Sequence, residues 1–392
     1  MPLKFVFGPS GSGKSTYLYQ HVIEESEKYP LKNFIVLVPE QFTMQTQKDL
    51  VSMHPRHGIM NIDVLSFARL AYRVFEETGT KQMQVLDDEG KNLILRKIAG
   101  DYENKLTVLK GNIKKLGYIS EVKSVISEFT QYDIGEEEMD EMLDHLDEDS
   151  RLYYKLKDIR LLYEGFQDYL RERYITKEEL LDVLNSQVKE SELLKNSVVV
   201  LDGFTGFTPV QNRLILELMR CCKEVWVTVT MDERENPYAY KHPYQLFGLS
   251  KQMVTTLVRM AGEDHIEVEE PVCLYGYPVK RFEKNQELAF LERNIFRYGS
   301  GRYDKAVENL EIHAAGNPRQ EADAVAEGIR RLVRKEQYRY RDIGVIVSDM
   351  NVYGDYLEQA FENYGIPVFM DHKRSILLNS FVEYIRSLLN MA

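Results

Sequence analysis

Two textures of apolar spacing alternate along this chain. One is the near-continuous apolar run: Leu3-Lys4-Phe5-Val6-Phe7, Phe34-Ile35-Val36-Leu37-Val38, Ser197-Val198-Val199-Val200-Leu201 and Val225-Trp226-Val227-Thr228-Val229, with a shorter one at Ile62-Asp63-Val64-Leu65. Runs of this kind predict strands covered on both faces, as a parallel sheet requires. The other texture is helical spacing, which follows each of these runs and takes over completely in the middle of the chain. Residues 1–85 therefore predict the first part of an α/β lobe, 86–195 a helical insertion, and 196–305 the return of the same lobe. From 306 to 392 the pattern predicts the beginning of a second α/β lobe. Its strands are expected at Leu310 to Ala314 and Ile343 to Val347, around a long helix to Lys335, with an apolar helix from Phe381 to Leu389.

The first apolar run ends in Gly8-Pro9-Ser10-Gly11-Ser12-Gly13-Lys14-Ser15-Thr16, which matches Gly-x-x-x-x-Gly-Lys-Ser between a strand and a helix. Glycines there let the backbone curl so that successive N–H groups and the helix N-terminus point at one anion. Gly8, Ser10, Gly11, Ser12, Gly13, Lys14, Ser15 and Thr16 are thus expected to cradle a nucleoside triphosphate. Lys14 carries the mobile charge and Ser15 ligates magnesium. A phosphate loop also needs an acid on a nearby strand to hold the magnesium shell, and Asp202, directly after Val198 to Leu201, has that position and type. Hydrolysis needs a further group to orient and deprotonate water, commonly a carboxylate beside that acid. Here the next residue is Gly203. Either the base comes from elsewhere, or the site binds nucleotide and turns it over slowly or not at all.

Composition narrows the class. The chain has 392 residues, enough for two or three domains, and 44% of them are hydrophobic. Its 50 basic and 62 acidic residues leave a net charge of -12, so any contact with nucleic acid has to come from a local basic surface. Three cysteines, Cys221, Cys222 and Cys273, make neither a disulfide framework nor a Cys-x-x-Cys metal motif, which predicts a reducing, cytoplasmic setting. Charged residues interrupt every apolar run short of the ~18 positions a membrane span needs, and a strand beginning at Leu3 leaves no room for a leader. The acidic stretch Gly135 to Asp144 keeps Met139, Met142 and Leu143 at helical spacing and reads as a solvated face. His54 and His57 have no third ligand nearby and are assigned no metal.

Several phosphate-loop classes share such a loop. A transporter ATPase is excluded because Leu-Ser-Gly-Gly-Gln is absent and because Asp202, the acid that ends its strand, is followed by Gly203 and not by Glu. A stand-alone small-molecule kinase or regulatory ATPase remains the competing class, and a binding scaffold with a relic loop is the third.

The order of motifs carries a more specific likeness. Phe7 to Thr16, Leu37-Val38-Pro39-Glu40-Gln41-Phe42-Thr43, Val64-Leu65-Ser66-Phe67-Ala68-Arg69-Leu70-Ala71 and Val199 to Pro209 together resemble the AddB/RexB family, the B subunit of AddAB-type ATP-dependent helicase-nucleases. The likeness continues through Asn317-Pro318-Arg319-Gln320-Glu321 and Gly365-Ile366-Pro367. It implies lobes like those of superfamily 1 helicases of the UvrD/Rep type, binding ATP with Mg2+ and running single-stranded DNA across both lobes. It also implies an AddA/RexA-type partner in a heterodimer, and work in double-strand break resection, where members of this family scan for the hotspot sequence Chi. The family's nuclease domain, with its metal and iron-sulfur cysteines, is expected beyond residue 392. Where active motors read Asp-Glu-Phe-Gln-Asp, this chain reads Asp202-Gly203-Phe204-Thr205-Gly206. The catalytic Glu and the phosphate-sensing Gln are missing, and so is the adenine-reading segment ahead of the loop. The lobe is therefore expected to bind ATP without being the motor.

For DNA, the loops after the second and third strands are the expected contacts: Gln41 and Thr43, then Ser66, Phe67 and Arg69. Hydroxyls and a guanidinium suit phosphates, and an exposed Phe can stack on a base for roughly 1 to 3 kcal/mol. Core packing is the alternative for Phe67, and a surface ion pair for Arg69. The resemblance places Arg319 opposite the terminal phosphate, held by Glu321; a helix-start arginine with a capping Glu321 is the alternative.

Overall fold

Six parallel strands, in the order β3-β2-β6-β7-β1-β8, form the main sheet of the computed structural model. The structure describes residues 2–79, 84–113, 115–171, 174–299, 301–370, 376 and 379–391. Two compact units divide it, Met1–Asp304 and Lys305–Ala392.

In the first unit the strands are β1 (Leu3–Gly8), β2 (Asn33–Leu37), β3 (Ile62–Leu65), a short pair β4 (Gln84–Leu86) and β5 (Tyr174–Thr176), then β6 (Ser197–Leu201), β7 (Glu224–Thr230) and β8 (Val272–Cys273). The helices up to the return of the sheet are α1 (Lys14–Lys28), α2 (Thr43–Met53), α3 (Phe67–Thr78), α4 (Asp88–Asp101), α5 (Leu116–Gln131), α6 (Glu136–Asp144), α7 (Arg151–Leu170), α8 (Leu180–Gln187) and α9 (Glu192–Lys195). After it come α10 (Pro209–Cys221), α11 (Gly248–Glu263) and α12 (Gln286–Asn294).

Side-chain alternation sorts the apolar runs into two cores. Leu3, Phe5, Phe7, Ile35, Leu37, Val199, Leu201 and Val227 face α3, α8, α10 and α11. Val6, Phe34, Val36, Val198, Val200 and Trp226 face the other way, against Leu18, Val22 and Ile23 of α1 and Leu50 of α2. Because both faces are covered, neither tolerates a polar stripe, which is why the runs read as continuous. The chain leaves β1 through α1, passes over two strand positions to β2, and returns later through β6 and β7, so the loops after β1, β2, β6 and β7 gather at the carboxyl edge of the sheet.

The helical excursion leaves and re-enters through the β4–β5 pair, Gln84 opposite Tyr174 and Leu86 opposite Thr176. Helices α4, α5, α6 and α7 close a separate core around Leu95, Ile98, Leu162 and Phe166. Lys91 and Glu178 form a buried ion pair at 2.7 Å next to that neck. The expected limit of the insertion at 195 needs correction. Leu180, Leu184, Val188 and Leu194 pack into the core of the main sheet, so the helical body ends with α7. Helical spacing alone does not say which core a helix joins.

The second unit contains α13 (Pro318–Lys335), α14 (Met350–Asn363) and α15 (Ser380–Met391). Ala322, Ala326 and Ile329 of α13 pack on Leu357, Ala360 and Phe361 of α14. The strands expected at 310–314 and 343–347 do not form. Neither segment has a ladder partner among the described residues, and Ile312 and Ile346 are 92% and 100% exposed. An apolar run becomes a strand only when a neighbour accepts its backbone hydrogen bonds.

Candidate nucleotide-phosphate site

At the end of β1 the backbone turns sharply through Gly8 to Gly13. A side chain on Gly8 would come within 2.4 Å of Ser12 Oγ and 3.0 Å of the Leu274 carbonyl, so only glycine fits there. Gly11 and Gly13 take φ of 81° and 93°, the left-handed region that glycine enters without steric cost. Gly13 is the N-cap of α1. It provides no side-chain cap, and the first turn holds no acidic residue. The first N–H groups of α1 are thereby left for an anion from outside the helix. Ser12 Oγ is buried and has no hydrogen-bond partner among the described residues, a second polar group open to a ligand.

Lys14 Nζ donates to the Gly8 and Pro9 carbonyls at 2.9 and 3.0 Å. Burial lowers its pKa to about 8; the Asp202 carboxylate opposes that shift, the positive charge of Arg281 adds to it, and Glu292 opposes it weakly. Ser15 is half-buried and Thr16 exposed.

Asp202 follows β6, two strand positions from β1, and is 5% exposed. Thr228 of β7 donates to its Oδ1 at 2.6 Å and Tyr19 of α1 donates to its Oδ2 at 2.7 Å. Tyr19 also meets Thr46 Oγ1 of α2 at 3.3 Å. Burial, then the negative charge of Asp202, pushes the Tyr19 phenol far above its ordinary range, so it remains a donor. The carboxylate is fixed by two neutral hydroxyls and keeps lone pairs on both oxygens. Sequence reading found Asp202 and missed Tyr19, Thr46 and Thr228. The available signal was a tyrosine in the buried stripe of α1, whose hydroxyl needs a partner.

One carboxylate and the Ser15 hydroxyl suit a magnesium ion that arrives with phosphate oxygens. They do not suit a resident ion, and among the described residues no three His, Cys, Asp or Glu side chains gather to hold one. Gly203 has φ 79°. A glutamate placed there would need a left-handed backbone, so the turn itself, as well as the side chain, sets this position apart from an Asp-Glu pair.

The expected DNA contacts divide. Gln41 lies exposed in the turn Glu40–Phe42, and Arg69 is exposed on α3. Thr43, Ser66 and Phe67 are buried, which corrects the roles expected of them. Thr43 Oγ1 donates to the Glu40 carbonyl, and Ser66 caps α3 by accepting from Arg69 N. Phe67, 8% exposed, packs with Phe204 and Phe207 at ring-centre distances of 5.4 and 6.4 Å and has no free face for a base. The exposed aromatic beside Gln41 is Phe42, which the sequence reading passed over.

Arg319 belongs to the second unit, exposed in the first turn of α13. Glu321 does not hold it: its carboxylate accepts from the Tyr353 hydroxyl at 2.7 Å.

Comparison with known proteins adds a family. Residues 5–292 match the family described as ADDB, N-terminal. A protein of Lachnoclostridium phytofermentans, named as the B subunit of an ATP-dependent helicase/deoxyribonuclease, is 44% identical over 100% of this chain and 34% of its own length. Proteins of the same name from Clostridium kluyveri and Clostridium acetobutylicum are 34% and 30% identical, over 99% and 100% of this chain. This chain spans about a third of the length of these relatives, 34% in each case.

Proposed function

The chain belongs to the ADDB N-terminal family, and from that premise we propose that it is the ATP-binding, helicase-like portion of the B subunit of an ATP-dependent helicase/deoxyribonuclease. One observation carries the nucleotide reading. The uncapped, acid-free N-terminus of α1, Lys14 and the fixed Asp202 carboxylate meet at the carboxyl edge of one parallel sheet. Ser15 and Asp202 hold the magnesium that accompanies the phosphates, and that ion supplies charge neutralisation when bound. Lys14 meets the outer phosphates, the loop N–H groups the inner ones. The lobe is of the superfamily 1 kind, and it binds ATP with little turnover because Gly203 stands where a water-orienting carboxylate is needed.

Single-stranded DNA lies across the loops after β2 and β3, with Gln41 and Arg69 on its phosphates. The whole protein pairs with an AddA/RexA-type helicase-nuclease in the cytoplasm and works on broken duplex ends, the nuclease chemistry residing outside these residues. The deciding experiment titrates labelled single-stranded DNA against the protein with and without Mg-ATP, following phosphate release in the same samples. DNA binding with little turnover is expected. Rapid DNA-stimulated turnover would overturn the passive role, and absence of DNA binding by a protein that phosphorylates a small acceptor would point to a kinase.

A further inference from the structure

Beyond β8 the chain doubles back over the phosphate loop. Val279, 3% exposed, anchors this segment, and the short turn Lys280–Phe282 follows it. The Arg281 N–H donates to the Gly11 carbonyl at 3.0 Å, so the strap is hydrogen-bonded to the loop itself. Both of its basic side chains lie on the loop's left-handed glycines. A Cβ on Gly11 would stand 2.8 Å from Arg281 Cβ and 3.3 Å from Arg281 Nε, and one on Gly13 would stand 3.4 Å from Lys280 Cδ.

Charge pairing in the neighbourhood is selective. Asp232, Glu233 and Glu235 are consumed by Arg234, Arg293, Arg297 and Lys251. Those pairings hold the Asp232 carboxyl down to about 2, mainly through its bonds to Arg234. Lys280 and Arg281 form no ion pair among the described residues, and both are exposed. Three cations, Lys14, Lys280 and Arg281, are therefore assembled at one loop in a chain whose net charge is -12. Arg281 works against the charged form of Lys14 while Asp202 and Glu292 work for it, and an anion entering among the three cations would add to that relief.

We propose that Lys280 and Arg281 form a second cationic arm of the phosphate site, gripping the phosphate chain of a bound nucleoside triphosphate from the strap while Lys14 grips it from the loop. The inference rests on the nucleotide reading and adds two binding residues to it. Gly11 and Gly13 then serve two purposes, the curl of the loop and the close approach of this arm.

The test uses the whole chain and a fluorescent ATP analogue, read by anisotropy, with wild type, Lys14→Ala and the double variant Lys280→Gln/Arg281→Gln. Loss of two charge-assisted contacts is expected to weaken binding by about 10- to 100-fold in the double variant, with an unchanged melting temperature because both side chains are exposed. Restoration by Lys280→Arg/Arg281→Lys is expected to bring most of that affinity back. If wild type and double variant bind alike while Lys14→Ala does not bind, the arm is refuted and the nucleotide site stands. If wild type itself binds no nucleotide, both fall. A readout that needs no variant is acylation of Lys280 in wild type, followed by peptide mass spectrometry. Saturating ATP is expected to protect it several-fold, and unchanged reactivity overturns the proposal.

Discussion

Lys14 is a half-buried cation whose direct partners are two carbonyls, and its behaviour with pH follows from that. Its pKa in the folded chain is about 8 against an ordinary 10.5, with burial the chief cause. Between those values the unfolded chain binds more protons than the folded one, so the contribution of this residue to stability rises as pH climbs from about 8 to about 10.5. Nucleotide affinity should move the opposite way, because the phosphates need the charged form: from pH 7 to pH 9 the dissociation constant for an ATP analogue is expected to rise ~10-fold. Lys14→Met should abolish both trends, and a titration by anisotropy paired with thermal melts at each pH reads them together. Gly203 makes a second residue-scale prediction. Its φ of 79° and the Pro39 ring 3.7 Å from a built Cβ mean that strain, not space, opposes a side chain. Gly203→Ala should cost about 1 to 2 kcal/mol in chemical denaturation. Gly203→Glu should lose at least as much and gain no ATPase activity; a gain would show that the turn can reshape and that only the side chain was missing.

At the scale of elements, the sequence was legible wherever one pattern answered to one environment. The apolar runs at 34–38 and 197–201 became β2 and β6 because a doubly covered strand leaves no other residue type permitted, and the Gly8-to-Thr16 spacing places its loop by geometry that few sequences satisfy. Legibility failed where the deciding fact was a partner distant in sequence. Phe67 reads equally as a stacker or a core residue until Phe204 and Phe207, more than a hundred positions away, come to lie on it. Phe67→Ala should therefore cost about 3 kcal/mol or more of stability, whereas Gln41→Ala and Arg69→Ala should leave the melt unchanged and weaken DNA binding. A melt of Phe67→Ala matching wild type would return that residue to the interface. Asp158 is a similar case inside the helical body. It sits in α7 looking like a solvated helix acid, yet its carboxylate is buried and accepts from Thr107 N, Val108 N, Leu109 N and Thr107 Oγ1 at 2.8 to 3.1 Å. It holds the turn after α4 against α7, so Asp158→Ala should strand three N–H groups and cost about 3 kcal/mol or more. Amide hydrogen exchange should show the loss confined to 88–170, with β1 and β6 still protected.

For the whole molecule, what matters is how much of the site one unit contains. A net charge of -12 means that no general field draws DNA or nucleotide in, so affinity has to be local, and the local cations are few and placed. Every group of the phosphate site, from Gly8 through Tyr19, Asp202 and Thr228 to Lys280 and Arg281, lies in the unit that ends at Asp304, and that unit carries both faces of the sheet's core. The sequence also offered Arg319 for the same phosphate, from the second unit, on the strength of family likeness alone. In the structure Arg319 has lost its expected holder, since Glu321 is taken by Tyr353. Expressing residues 1–304 alone separates these contributions. The fragment should melt cooperatively, because its apolar layers are complete without residues 305–392, and should bind an ATP analogue within about twofold of the full chain. A loss of tenfold or more, equivalent to ~1.4 kcal/mol, would mean that the second unit touches the nucleotide. Arg319→Ala in the full chain would then be expected to reproduce that loss, and its failure to do so would assign the contact to another residue of the second unit.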